Sequence, residues 1–353
     1  VAALFFFSKK LPNHEMDGQK ENTGEMKKGL TLLVSMTIVI LGLVGIVFFL
    51  DSITDMNQEK KEKIQLICLI SSVLSVFIFL FTALSRSKKR PEGWGALAYP
   101  QLIWGMLAIF VYVGVEVAVG SNLSDLISNP GVAGLNTAET AKYVSLYWGS
   151  LMMGRWASAV YAFNLSKVTT NILTIVMPFL GFGFVYYFNS RNGGQYMDYD
   201  IYFFFIGILV AGFFMGKNKP ALTLIIFGAL SIICLITGIL PSTSLDPLAL
   251  SLGFEKGAVI TVYSVIATGL FCSIMWPCIF SLSLSGLGKY TSQGSAFLIM
   301  MILGGAIIPP LQGKIADIYD IQLSYFVGIV CFLFLVVYAF LSGREKNNIQ
   351  IER

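Results

Sequence analysis

Two ionisable side chains stand inside long apolar runs, where an unpaired charge is costly and is retained for a reason. They are Glu116, in Phe110-Val-Tyr-Val-Gly-Val-Glu-Val-Ala-Val-Gly-Ser121, and Arg155, in Tyr147-Trp-Gly-Ser-Leu-Met-Met-Gly-Arg-Trp156. A carboxyl at such a site can accept a ligand hydroxyl, carry a proton, or serve as a structural carboxyl near the outer interface. A guanidinium beside Gly154 can contact a ligand or tie neighbouring helices together. A third feature is the run Cys272-Ser-Ile-Met-Trp-Pro-Cys-Ile-Phe-Ser281. Pro277 lacks an N–H and its ring clashes with the carbonyl four residues back, so a helix must break or kink there and expose backbone polar groups. Lipid cannot satisfy those groups, so the open side faces protein or a cavity. Trp276 immediately precedes the break. An indole offers an apolar face and an N–H donor to a ligand. The plainer account is that Pro and Gly are simply commoner in membrane helices and that Trp276 fills space.

Other chemistries find little support. His14 is the only histidine and lies in a charged loop, which removes histidine base catalysis and HExxH zinc sites. The five cysteines, Cys68, Cys234, Cys272, Cys278 and Cys331, sit in apolar runs without C-x-x-C spacing, as small packing residues do. No phosphate-binding glycine loop or nucleophile elbow appears in a supporting context. The chain is therefore expected to be no enzyme, to use no cofactor or metal, and to have no nucleic-acid partner for its net charge of +4.

The elements that carry these residues are membrane spans. Of 353 residues 56% are hydrophobic and 12% charged, far from a soluble domain. Against the about 20 apolar residues needed to cross a bilayer, ten spans are read, near 29–50, 64–84, 101–120, 143–163, 168–188, 201–216, 220–240, 258–284, 294–311 and 323–342. Alternate loops hold sixteen basic residues on one side and seven on the other, which places the richer side, including Ser85-Arg-Ser-Lys-Lys-Arg-Pro91, inside. The same cluster could meet anionic lipid headgroups, although a topology signal accounts for it with nothing added. Counting about 1.5 Å per residue, Glu116 lies about 22 Å and Arg155 about 12 Å above the inner face, an offset of about 10 Å that allows a direct salt bridge only with a tilt or a reaching Arg, so none is assumed. In the ninth span Gly304, Gly305 and Pro309-Pro310 are expected to thin and then terminate the helix. Val1 to Phe7 reads as the tail of a helix that begins upstream.

Several blocks carry a family likeness. Gly269 to Leu282, Gly286-Leu-Gly-Lys-Tyr-Thr-Ser-Gln-Gly-Ser295 and Gly304-Gly-Ala-Ile-Ile-Pro-Pro-Leu-Gln-Gly-Lys-Ile-Ala-Asp317 resemble the tenth and eleventh spans of the fucose permease and glucose/galactose permease group of the major facilitator superfamily. The Glu116 and Arg155 blocks resemble its seventh and eighth. The resemblance implies an all-α polytopic membrane protein, the C-terminal half of that fold with two extra transmembrane hairpins. Residues 1–28 would be the end of a truncated helix and a central cytoplasmic loop, and 29–97 a hairpin and basic linker. Residues 98–342 would form the bundle, with a hairpin inserted at about 168–216, and 343–353 a cytoplasmic tail. The implied function is secondary active transport of a monosaccharide by symport with a proton or sodium. The implied partners are the sugar, the coupling cation, the lipid bilayer and the missing N-terminal half, which would hold the coupling acids. The alternative is a non-transporting scaffold or sugar receptor on the same fold. Trp276, Glu116, Tyr112, Tyr147, Trp148 and Met275 are the expected substrate contacts. Arg155, Gly154, Pro277, Gly304, Gly305 and Pro309 are the expected structural or gating residues. Cys272 and Cys278 replace the Asn and Thr usual in the glucose/galactose branch, which bears on which hexose is bound.

Overall fold

The computed structural model describes residues 26–52, 56–163, 165–191, 199–215 and 219–351. The N-terminal stub, His14 and Lys217 lie outside the described residues. Among those described, the secondary structure is helical throughout.

The helices are α1 Lys27–Asp51, α2 Gln58–Lys89, α3 Pro100–Ser121, α4 Leu123–Ser128, α5 Thr137–Ala159, α6 Lys167–Arg191, α7 Asp200–Met215, α8 Pro220–Ile239, α9 Asp246–Ser251, α10 Gly257–Cys272, α11 Met275–Leu284, α12 Thr291–Met300, α13 Gly304–Ile318, α14 Ile321–Ser324 and α15 Phe326–Ile351. Each of the ten expected spans falls on one of these or on a broken pair. Among the described residues eight segments are long and apolar enough to cross a membrane. The other two are α5, which carries Glu139, Lys142 and Arg155, and α7, an apolar helix of 16 residues.

Local chemistry sets the ends. Pro100 and Pro220 open α3 and α8 at positions where a missing N–H costs nothing. Asn136 and Glu139 form a reciprocal capping box at α5. The Asn57 side chain accepts from the Glu59 and Lys60 amides at the start of α2. The last turn of α2 holds Arg86, Lys88 and Lys89, where cations complement the helix dipole. Gly93, at φ +84, turns its carbonyl onto the Lys28 and Gly29 amides at 2.9 and 3.3 Å, so the loop after α2 caps α1.

The core is built around α3 and α10. Every residue of α10 is buried, as is most of α3, including Glu116. Helices α5, α8, α11, α13 and α15 pack around this pair, while α1, α2, α6 and α7 turn wide apolar faces outward, as lipid-facing helices do. The α1–α2 hairpin docks on α13 and α3, and α6 lies along α5. Helix α7 is tied in by Tyr202, fully buried and hydrogen-bonded to Ser150 of α5.

One expectation changes. The Pro309-Pro310 pair does not end its helix: α13 runs through both prolines to Ile318, and the weak point is a 3-10 turn at Met301–Leu303 that separates it from α12. Prolines remove two hydrogen bonds but leave helical φ in place, and packed neighbours hold the remaining turns. Helix α15 continues to Ile351, through most of the residues expected as the cytoplasmic tail.

Candidate functional site

The span beginning at Gly257 stops at Cys272 and restarts at Met275, with a turn at Ser273 and Ile274. Ser273 is the residue four before Pro277, the carbonyl a proline ring displaces. The break is satisfied from within the bundle: the Tyr112 hydroxyl of α3 donates to the Cys272 carbonyl at 2.9 Å, and Ser273 Oγ donates to Leu270 O. Room for the turn comes from Gly154 on α5, where an added Cβ would overlap Ser273 Oγ. Pro277 itself is exposed, in the first turn of α11.

Glu116 and Arg155 form a direct ion pair, Arg155 Nη2 to Glu116 Oε1 at 2.5 Å. The axial offset therefore does not keep them apart, and helix geometry says why. Helices α3 and α5 are antiparallel, with Ser124 paired to Thr140 and the Tyr147 hydroxyl donating to the Glu116 carbonyl at 2.6 Å. Side chains lean toward the N-terminus of their own helix. Glu116 thus leans down α3 while Arg155 leans up α5, and the two close the gap. The carboxylate side is 8% exposed and the guanidinium side 53% exposed, so the pair sits at the edge of the packed core with one face open.

An aromatic wall adjoins the pair. Trp276 meets the edge of Tyr112 at 6.1 Å between centroids and stacks on Phe280 at 5.2 Å. Trp148 is 42% exposed and stands edge-on to Tyr147. Tyr112, Tyr147 and Met275 are fully buried, so they back the wall, whereas Trp276, Phe280 and Trp148 present surface. Tyr147 passes between Gly120 and Gly269, where any Cβ would crowd its ring. Gly304 and Gly305 lie elsewhere: they let α13 approach α3 at Phe110 and Val113, with Pro309 one turn further on. Chemically, the site joins a partly exposed indole, a half-exposed guanidinium and a mostly buried carboxylate, a set that can hold a polyhydroxylated ring by stacking and by paired hydrogen bonds. Sequence reasoning missed Phe280 and the role of Ser273. The second could have been found by counting four residues back from Pro277. The Tyr112 acceptor is a backbone carbonyl and has no sequence signature.

No family model matches the chain. It is 31% identical over 258 residues to a glucose/galactose transporter of Brucella abortus, an alignment that covers 73% of this chain and 45% of that protein. It is 35% identical over 85 residues to the L-fucose-proton symporter of Haemophilus influenzae, covering 22% of this chain and 20% of that protein. A crystal structure of the Escherichia coli fucose:proton symporter superimposes with a TM-score of 0.42 and 18% identity, covering 88% of this chain and 67% of that one. The chain spans about half the length of the Brucella transporter it matches. The sequence likeness bears out the resemblance read from the motif blocks: over this length the chain is similar to glucose/galactose and fucose sugar permeases.

Proposed function

We propose that the full-length protein moves a monosaccharide, a hexose or 6-deoxyhexose such as glucose, galactose or fucose, by symport with a proton or sodium and alternating access. This chain contributes the C-terminal bundle, α1–α2 and α6–α7 being added hairpins, and an N-terminal half supplies the coupling acids. The protein sits in the bacterial inner membrane with both ends of this chain cytoplasmic. The observation that carries the reading is the helix broken at Ser273–Ile274, the Cys272 carbonyl before the break taken by Tyr112, with Trp276 against Tyr112, one turn before Glu116 on α3. Discontinuous helices are where secondary transporters build substrate sites. The names of the relatives support sugar as the substrate class, and the fucose-proton symporter's name supports the proton as coupling ion.

In this arrangement the sugar's apolar face stacks on Trp276 while hydroxyls donate to Glu116 and accept from Arg155. The ion pair holds α3 to α5 when the site is empty. A sugar that inserts its hydroxyls shares both partners and loosens that hold, so occupancy and helix position become linked. Uptake of radiolabelled glucose, galactose and fucose by cells lacking their own hexose carriers, with the full-length protein expressed, tests the proposal. Accumulation of one of them that collapses with an uncoupler or on sodium removal is expected. Absence of uptake for all three, by protein shown to reach the membrane, would sink it.

A further inference from the structure

A cavity of about 1030 Å³ opens between α1 and α2 at the end where α1 begins and α2 finishes. This is at the upper end of the about 300–1,000 Å³ of small-molecule pockets. Its rim carries five cations, Lys27, Lys28, Arg86, Lys89 and Arg90, and no carboxylate lines it. Among the described residues none of the five joins an ion pair. Below the rim come the hydroxyls of Thr31, Ser35 and Thr82, then the apolar Ile78 and Phe79. From Lys27 to Ser35 the groove descends about 12 Å along α1, at about 1.5 Å per residue.

This layering matches an anionic phospholipid in order and in depth. The phosphate meets the cations, the upper acyl chain runs along the apolar wall, and the ester oxygens lie level with the hydroxyls of Thr31, Ser35 and Thr82, which donate to the carbonyls of Lys27, Thr31 and Ile78 in the empty groove and would turn to the esters when lipid binds. The wall is also fixed in advance. The Gly93 carbonyl caps α1, Lys28 Nζ donates to the Glu92 carbonyl at 3.0 Å, and buried Trp94 lines the groove. A topology signal needs basic residues only somewhere in the inner loop. It gives no reason to gather five like charges around one cavity, which costs repulsion unless an anion sits among them. We propose that this groove is a binding site for one anionic phospholipid, which clamps the α1–α2 hairpin to the loop at 90–95.

The test uses the full-length protein in detergent, titrated with dioleoylphosphatidylglycerol and followed by native mass spectrometry. One tightly held lipid is expected, with dioleoylphosphatidylcholine binding at least tenfold more weakly, since each cation near the headgroup adds measurably to affinity. Arg86→Gln/Arg90→Gln should weaken that lipid about tenfold or more. Lys167→Gln/Lys219→Gln, which removes two cations from other loops of the same side, should leave it unchanged. Circular dichroism and monodispersity in neutral detergent establish that each variant is folded. Equal losses in both variants would show a diffuse surface potential and overturn the site. Displacement by millimolar inorganic phosphate would show a simple anion site and overturn the lipid. Capture only by protein lacking residues 13–24 would assign the groove to the chain's own acidic segment and equally overturn the proposal.

Discussion

Glu116 and Arg155 are unequal partners, and that inequality is measurable. Removing the arginine strands a carboxylate that is 8% exposed, whereas neutralising the glutamate leaves a guanidinium that is 53% exposed and can turn to water. An uncompensated buried charge costs about 3–5 kcal/mol, so Arg155→Ala should lower the melting temperature in detergent clearly more than Glu116→Gln. The opposite order would show that the pair does not exist as described. Tyr112→Phe removes the donor to the Cys272 carbonyl at the helix break. An unsatisfied buried acceptor costs about 1–3 kcal/mol, which chemical denaturation of wild type and variant would read directly; an unchanged midpoint would contradict the assignment. The sequence shows Glu116, Arg155, Trp276 and Pro277 because a charge or a proline in an apolar run has few harmless explanations. It does not show that the two charges meet. That depends on the opposed lean of side chains on antiparallel helices, and counting along helix axes leaves the lean out.

At the scale of elements, the close approach of α13 to α3 rests on one glycine more than on its neighbour. A Cβ at Gly304 would overlap the Phe110 carbonyl oxygen, which is backbone and cannot move aside, while a Cβ at Gly305 would meet the Val113 side chain at 3.2 Å. Gly304→Ala should therefore cut the yield of folded protein sharply and Gly305→Ala only mildly, as judged by size-exclusion of the two in parallel. Similar yields would mean that the helices do not pack in this register. The helices at the ten expected spans, eight of them long and apolar enough to cross a membrane, were legible because bilayer thickness fixes a length of apolar sequence. The ends were less so. Lys289 and Tyr290 lead into α12 and Lys314 and Asp317 lie within α13, because polar residues continue a helix past hydrocarbon. The passage of α13 through Pro309-Pro310 depends on neighbours that hold it. Tyr202, the anchor of α7, looks in sequence like any aromatic of a lipid-facing run, yet is fully buried against Ser150.

For the whole molecule, the topology proposed from the basic-residue asymmetry has segments 121–142 and 241–257 facing outward and 85–97 and 343–353 inward. Single cysteines introduced there in the full-length protein, with the five native cysteines replaced, should react with an impermeant maleimide in intact cells only at the first two. Labelling at 85–97 would reverse the arrangement and place the α1–α2 groove on the outer surface. The central claim is that the broken helix between α10 and α11 presents Trp276 to a sugar. Equilibrium binding of labelled glucose, galactose and fucose to purified full-length protein, wild type and Trp276→Ala, tests this most directly, once circular dichroism has shown both to be folded. The account predicts that the sugar bound by wild type is held about tenfold more weakly or worse by Trp276→Ala, a loss of about 1.4 kcal/mol, with Trp276→Phe intermediate. Folded Trp276→Ala protein that binds the same sugar with wild-type affinity would contradict it.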